Sequence, residues 1–194
     1  RYRLALPALL LLAVASVLLA LGVGSVGVSP GQLWTTLTGS GSDLAAEVVL
    51  GLRLPRALAA FVTGGLLALA GALMQVLLRN PLADPYILGV SGGASVAALL
   101  VLMFGLGGLW LPLASFGGAL GAMLLVFALS QGRGGWTSSR LLLTGVVLAA
   151  GWGALISFLL AISPESGLRG MLFWLMGDLS NTPGPGWASL VLVL

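Results

Sequence analysis

The chain has 194 residues, 59% of them hydrophobic and 7% charged, and eight arginines against five acids leave a net charge of +3. A soluble domain carries about 25% charged residues, so the outer face of this chain has to be solvated by lipid. Histidine, lysine and cysteine are absent, which excludes disulfides, iron–sulfur ligation, the common zinc sites, a Ser-His nucleophile and a Walker-type lysine, and no basic cluster suits a nucleic acid.

The first helix is expected over residues 4–27. The apolar run from Leu4 to Val28 reads as a retained span, because its 25 residues exceed a signal-peptide core of about 7–15. A polar loop from Ser29 to Glu47 follows. The second helix is expected to start near Arg56, with Pro55 in its first turn where a missing N–H is no loss. It runs to Leu78, and 22 uncharged residues separate Arg56 from Arg79. The Asn80-Pro-Leu-Ala-Asp-Pro85 turn stops it, since proline disfavours helix at the residue before it.

Between Asp84 and Arg133 lie 48 residues without an ionisable side chain. One helix of that length would be about 72 Å long, against a hydrocarbon core of about 30 Å. The segment must therefore double back, and the glycines of Phe104-Gly-Leu-Gly-Gly-Leu-Trp-Leu-Pro112 mark the place. This predicts helices at 87–104 and 112–131, then a fifth at 140–162. From Glu165 to Gly186 the chain is a polar connection. Within it Gly167–Gly177 is short for a span and reads as a half-helix at the outer surface, either a gate or simple surface packing. The run from Trp187 to Leu194 opens a sixth helix that is cut off. A chain that begins on Arg1 and stops inside an apolar run is expected to be one transmembrane domain, residues 1–194, from the N-terminal part of a longer protein.

Charge bias predicts the topology. With the N-terminus in the cytoplasm, Arg1, Arg3, Arg79, Arg133 and Arg140 lie inside with Asp84. Arg53, Arg56 and Arg169 lie outside with Asp43, Glu47, Glu165 and Asp178. The opposite orientation would put the acid-rich side in the cytoplasm.

Lipid tails give helices no hydrophobic reason to associate, so small residues that let backbones approach mark the contacts. They recur at every fourth position as Gly64, Ala68 and Ala72, as Gly89, Gly93 and Ala97, as Gly117 and Gly121, and as Gly145, Ala149 and Gly153. Gly89-Val-Ser-Gly-Gly93 is read as such a packing surface, since no lysine accompanies it as a phosphate loop would require. Arg53 and Arg56 belong at the interface, because an arginine at the bilayer centre costs at least about 2.5–3.5 kcal/mol. They serve there either as snorkelling anchors or as a docking point for carboxylates of an extracytoplasmic partner. Gln75 and Arg79, one turn apart before Asn80-Pro81, are read as structural, with the Gln75 amide available to a neighbouring helix. Thr63, Thr144 and Ser157 can bond back within their own helices. Trp152 faces either lipid or a central cavity.

Several blocks resemble the FecCD-type permeases of ABC importers for iron-siderophores, haem and vitamin B12. They are Arg53-Leu-Pro-Arg56, Gly64-Gly65, Gly71, Gln75, Arg79-Asn-Pro-Leu-Ala-Asp-Pro85, Leu88-Gly-Val-Ser-Gly-Gly-Ala94, Ser138-Ser-Arg-Leu-Leu-Leu-Thr-Gly145, and Leu168-Arg169 through Phe173-Trp-Leu-Met-Gly177. The resemblance implies an all-α, polytopic membrane bundle, with about six of ten helices present. It also implies a homodimer in the bacterial cytoplasmic membrane. Cytoplasmic ATPase subunits would drive it, and an extracytoplasmic binding protein would deliver substrate to Arg53 and Arg56. Helix five and the short helix near 167–177 would line and cap the pathway, which makes Thr144, Trp152, Ser157 and Trp174 the candidate pathway or gate residues. No enzymatic step, cofactor, metal site or nucleic acid is implied.

The alternative is a self-sufficient channel or secondary transporter. Ion coupling uses ionisable groups inside the membrane, and helices two to five carry none in their central turns. A membrane-embedded protease would need an acid–base pair that these spans lack.

Overall fold

Helices make up most of the computed structural model, which describes residues 2–39, 41, 43–132 and 135–179. The chain divides into two compact units, Arg1–Leu66 with Leu179–Leu194, and Leu67–Asp178.

In the first unit, α1 (Tyr2–Gly22) is apolar on every side and Leu11 is 72% exposed, as lipid solvation requires. It ends five residues before the expected boundary. Helix α2 (Pro30–Leu37) lies where a loop was expected. Ser29 Oγ accepts from the Gln32 N–H at 3.2 Å and Gln32 Oε1 accepts from the Ser29 N–H at 2.9 Å. With Pro30 in the first position, this capping box is sufficient to start a helix.

The largest correction concerns the second span. Helix α3 (Asp43–Ala46), a π-helical segment (Glu47–Arg53) and helix α4 (Leu54–Leu78) follow one another without a break, so the helix begins thirteen residues before Arg56. Pro55 does not start it. In a regular helix the proline ring would meet the carbonyl four residues earlier. The wider π turn ahead of it, closed by Leu54 N–H on Val49 O, opens that space. The 35-residue apolar stretch Leu44–Leu78 would be about 52 Å long. The part after Arg56 is by itself long enough for a bilayer core of about 30 Å.

The second unit opens with the end of α4. Asn80 N–H bonds to Gln75 O at 3.1 Å and Arg79 N–H to Val76 O at 3.3 Å, with Arg79 left-handed at φ 49. This is a Schellman stop in which arginine holds a position usually given to glycine. A 3-10 turn (Pro85–Leu88) comes next, capped by Asp84 Oδ1 on the Tyr86 N–H at 2.8 Å. Gly89, at φ 66, then breaks the path before α5 (Val90–Met103). The predicted helix at 87–104 is thereby reduced to 14 residues, or about 21 Å, too short to cross a bilayer core alone.

The predicted reversal is present. Gly105, at φ 67, ends α5 through Leu106 N–H on Val101 O at 3.0 Å. Helix α6 (Trp110–Ser130) follows, with Pro112 harmless in its first turn. Trp136 packs edge-on against Phe127 at 5.6 Å and donates to Phe127 O at 3.0 Å, joining α6 to α7 (Ser138–Ile162). Ser163 Oγ, 3.2 Å from Met171 Sδ, then links α7 to α8 (Glu165–Met176), the half-helix foreseen near 167–177. The sixth apolar run lies outside the described residues.

Helices α5 and α6 meet backbone to backbone. A Cβ on Gly93 would lie 2.5 Å from Ala122 Cβ and 2.5 Å from Gly118 O, and one on Gly118 would lie 2.7 Å from Ala97 Cβ. The face of α6 in use is therefore Gly118 and Ala122. Gly117 and Gly121, expected to pack, have none of the described residues within 4 Å of a Cβ placed there, and the same holds for Gly64 and Gly153. Gly145 does pack, against the main chain of Ile87 and Leu88. Two small buried clusters hold this unit. Leu78, Ala83, Leu88, Val126 and Leu141 pack by the 3-10 turn, and Leu99, Leu159 and Met171 pack beneath α8.

Candidate functional site

Arg53 and Arg56 leave the π segment and the first turn of α4 next to a groove of about 510 Å³, lined also by Gly24, Val26, Val48 and Ala60. Arg56 is exposed and Arg53 half-buried. The Arg53 guanidinium turns inward: Nη1 donates to Leu21 O at 2.8 Å and to Gly22 O at 3.2 Å, and Nη2 donates to Val26 O. Leu21 and Gly22 are the last residues of α1, whose final carbonyls lack helical partners. An arginine supplied from another helix caps them. Each such bond, with one charged partner, contributes about 1.5–3 kcal/mol. Gly24 makes room for it, since a Cβ there would sit 2.6 Å from Nη2 and 2.8 Å from Cζ.

The Arg79–Pro85 motif has a local explanation. Besides the Schellman bonds, Asn80 Oδ1 accepts from the Leu82 N–H at 3.0 Å and Asn80 O accepts from the Ala83 N–H at 3.1 Å, closing consecutive turns. Gln75 contributes its main-chain carbonyl, and its side chain is exposed. Pro81 is exposed in the turn. Beside this turn Asn80, Ser138, Ser139, Leu78, Leu142 and Leu143 line a cavity of about 350 Å³. Sequence reading missed this pairing of two serines at the start of α7 with the end of α4. The two blocks lie almost sixty residues apart, and no local signal joins them.

Trp152 lies against the glycines of α5. A Cβ on Gly92 would be 2.6 Å from Trp152 Cβ and 2.9 Å from Cγ, and one on Gly89 3.1 Å from Cδ1. The indole Nε1 is buried and has no hydrogen-bond partner among the described residues, an omission worth about 1–3 kcal/mol. Trp152 also borders an apolar groove of about 520 Å³ with Leu125, Leu148, Gly151, Ala154 and Leu155. Ser157 is exposed and bonds back to Gly153 O at 3.0 Å, as expected. Thr144 is half-buried on α7, and Trp174 is half-buried on α8. At about 100° per residue, Trp152 and Ser157 are separated by about 140° around the helix. The four candidate pathway residues therefore do not share one face.

A model of the FecCD transport family matches residues 10–194. The chain belongs to the FecCD transport family. Among its relatives, the vitamin B12 import system permease BtuC of Vibrio cholerae is 42% identical over 167 residues, covering 84% of this chain and 49% of that protein. The ferric enterobactin permease FepD of Escherichia coli K12 is 42% identical over 179 residues, covering 91% and 53% respectively. The achromobactin permease CbrC of Dickeya dadantii is 41% identical over 172 residues, covering 87% and 49%. The chain thus spans about half the length of the curated relatives it matches. A solved inward-facing structure assigned as a metal-chelate type ABC transporter superposes with a TM-score of 0.78 at 31% identity, over 98% of this chain and 56% of that one.

Proposed function

We propose that this chain supplies the N-terminal half of the membrane pathway of an ATP-driven importer for a metal chelate or cobalamin-type substrate. The observation that carries the reading is the superposition of almost the whole chain on a metal-chelate type ABC transporter at 31% identity. The names of the permease relatives, for vitamin B12, enterobactin and achromobactin, support the substrate class.

In this reading the permease performs no bond chemistry. A loaded binding protein docks at the outer, arginine-bearing end, and ATPase subunits act from the cytoplasm on a pair of permease subunits. The helices alternate between outward-open and inward-open arrangements, and each partner biases that equilibrium only by its differential affinity for the two states. The N-terminus is cytoplasmic. Contacts such as Gly93 on Gly118 and Gly145 on the 3-10 turn suit this, because surfaces without large side chains can shift without unlocking rotamers. Trp152, with Thr144, Ser157 and Trp174, is assigned to the pathway or its gates, and the cavity by Asn80, Ser138 and Ser139 to the cytoplasmic end.

Reconstitution in proteoliposomes tests the reading. The intact permease, its ATPase subunits and its binding protein should accumulate cobalamin or a ferric siderophore only with ATP. Uptake that continues with a hydrolysis-defective ATPase, and collapses when the proton gradient is dissipated, would overturn it.

A further inference from the structure

Every residue from Leu4 to Ser42 is uncharged, although α1 accounts for the run only as far as Gly22. At 21 residues α1 is about 32 Å long, enough to cross a hydrocarbon core of about 30 Å. The uncharged segment after it therefore starts at the membrane boundary. Within that segment α2 sorts its residues around its axis at about 100° each. Thr36 is 3% exposed and marks the protein-facing side. Gly41 closes over it, since a Cβ there would lie 2.7 Å from Thr36 Cα. Trp34, about 160° from Thr36, is 70% exposed. Leu37, about 60° from Trp34, is 45% exposed. Thr35 and Gln32 are exposed on the edge away from Leu37. The hydroxyl nearest the tryptophan is already spent within the helix, because Thr38 Oγ1 donates to Trp34 O at 2.9 Å. Helix α2 lies beside α1, whose last turns expose Leu18 and Leu19, so its apolar edge continues a surface that already faces lipid.

We propose that α2 is an interfacial helix that docks on the phospholipid surface, with Trp34 and Leu37 in the headgroup layer, Thr35 and Gln32 towards water, and Thr36 against protein. An eight-residue helix is about 12 Å long, so it can lie in the boundary but not cross it. Tryptophan suits that layer, where its ring is desolvated and its N–H still finds water or an ester carbonyl. A protein partner is disfavoured, because α2 carries no charged residue with which to fix a register. Docked in this way, α2 holds the link between the first two spans at a fixed depth. The lipid contact rests only on α1 spanning the membrane. That the leaflet is the outer one rests on the orientation proposed above.

Depth-dependent quenching tests this on the intact importer in phosphatidylcholine–phosphatidylglycerol vesicles. Single Trp34→Cys, Leu37→Cys and Thr35→Cys variants, in a permease otherwise free of cysteine, each carry an NBD fluorophore. The label at 34 or 37 should lose most of its emission to phosphatidylcholine bearing a nitroxide near the headgroup. It should lose less to a nitroxide deep in the acyl chain, and little to iodide present on both faces. At 35 the order should reverse, with iodide the strongest quencher. Iodide quenching at 34 equal to that at 35 would overturn the proposal, as would failure of both nitroxide lipids, or strongest quenching by the deep one. Loaded binding protein decides between lipid and a protein partner. Lipid quenching at 34 should survive its addition, and relief of that quenching would assign the face to protein docking and sink the proposal. If Trp34→Cys does not fold, the contrast between 37 and 35 carries the same comparison. None of these readouts requires transport, so the lipid contact and the importer reading can fail separately.

Discussion

Gly93 and Gly121 permit one substitution, glycine to alanine, to be made at two helix positions with opposite expected outcomes. At Gly93 the new Cβ would lie 2.5 Å from Gly118 O and 2.5 Å from Ala122 Cβ, against 3.4 Å for the closest ordinary contact. Backbone cannot swing aside, so α5 and α6 must part by roughly 1 Å, an overpacking that costs about 1–3 kcal/mol. At Gly121 none of the described residues lies within 4 Å of the new Cβ, and the change should gain up to about 1 kcal/mol of helix propensity. That gain applies at both positions and cancels in the comparison. Gly93→Ala should therefore be less stable than Gly121→Ala by about 1–3 kcal/mol, or roughly 5- to 150-fold in the unfolding constant. The assay is an SDS titration of the chain in mixed micelles, followed by far-UV circular dichroism. Equal midpoints, or a greater loss at Gly121, would refute the assignment of Gly118 and Ala122 as the face that α6 presents to α5.

Trp152→Phe removes a buried N–H that has no acceptor among the described residues, so it should cost less than about 1.5 kcal/mol, whereas Trp152→Ala should cost about 3–5 kcal/mol in the same titration. Arg79→Gly relieves a left-handed residue at φ 49 and should stabilise the end of α4 by about 1 kcal/mol, while Arg79→Val should destabilise it. Ser29→Ala removes the cap of α2, and the Gln32 and Leu33 amides should exchange faster by the equivalent of about 0.5–2 kcal/mol.

What the sequence made legible was whatever rests on local signals. The reversal between α5 and α6 was readable because Gly105 and Pro112 punctuate an apolar run too long for one span. Helix α7 was readable from its uninterrupted 140–162 stretch. The start of α2 carried its signal too, in Ser29-Pro-Gly-Gln32, but a polar composition hid it. The early start of the second span was not legible, since a proline normally begins or breaks a helix and only the π segment lets the chain run through Pro55. Periodicity indicated that glycine faces pack, but not which face of α6. Gly117 and Gly118 are neighbours in sequence and about 100° apart in space, and the choice is made by the partner helix. The contact of Arg53 with the carbonyls at the end of α1 has no local signature at all. It joins residues about thirty apart, and a guanidinium at an interface reads the same whether it meets carbonyls or a partner's carboxylate.

The docking and transport readings both depend on which side of the bilayer the arginine-bearing end occupies. The chain has no cysteine, so single Ser25→Cys, Gly51→Cys, Asn80→Cys and Ser139→Cys substitutions, in a permease otherwise free of cysteine, can be probed with a membrane-impermeant maleimide in spheroplasts. Cysteines at 25 and 51 should label from outside in intact spheroplasts, and those at 80 and 139 only after permeabilisation. The reverse pattern would place Arg53 and Arg56 in the cytoplasm and contradict the account.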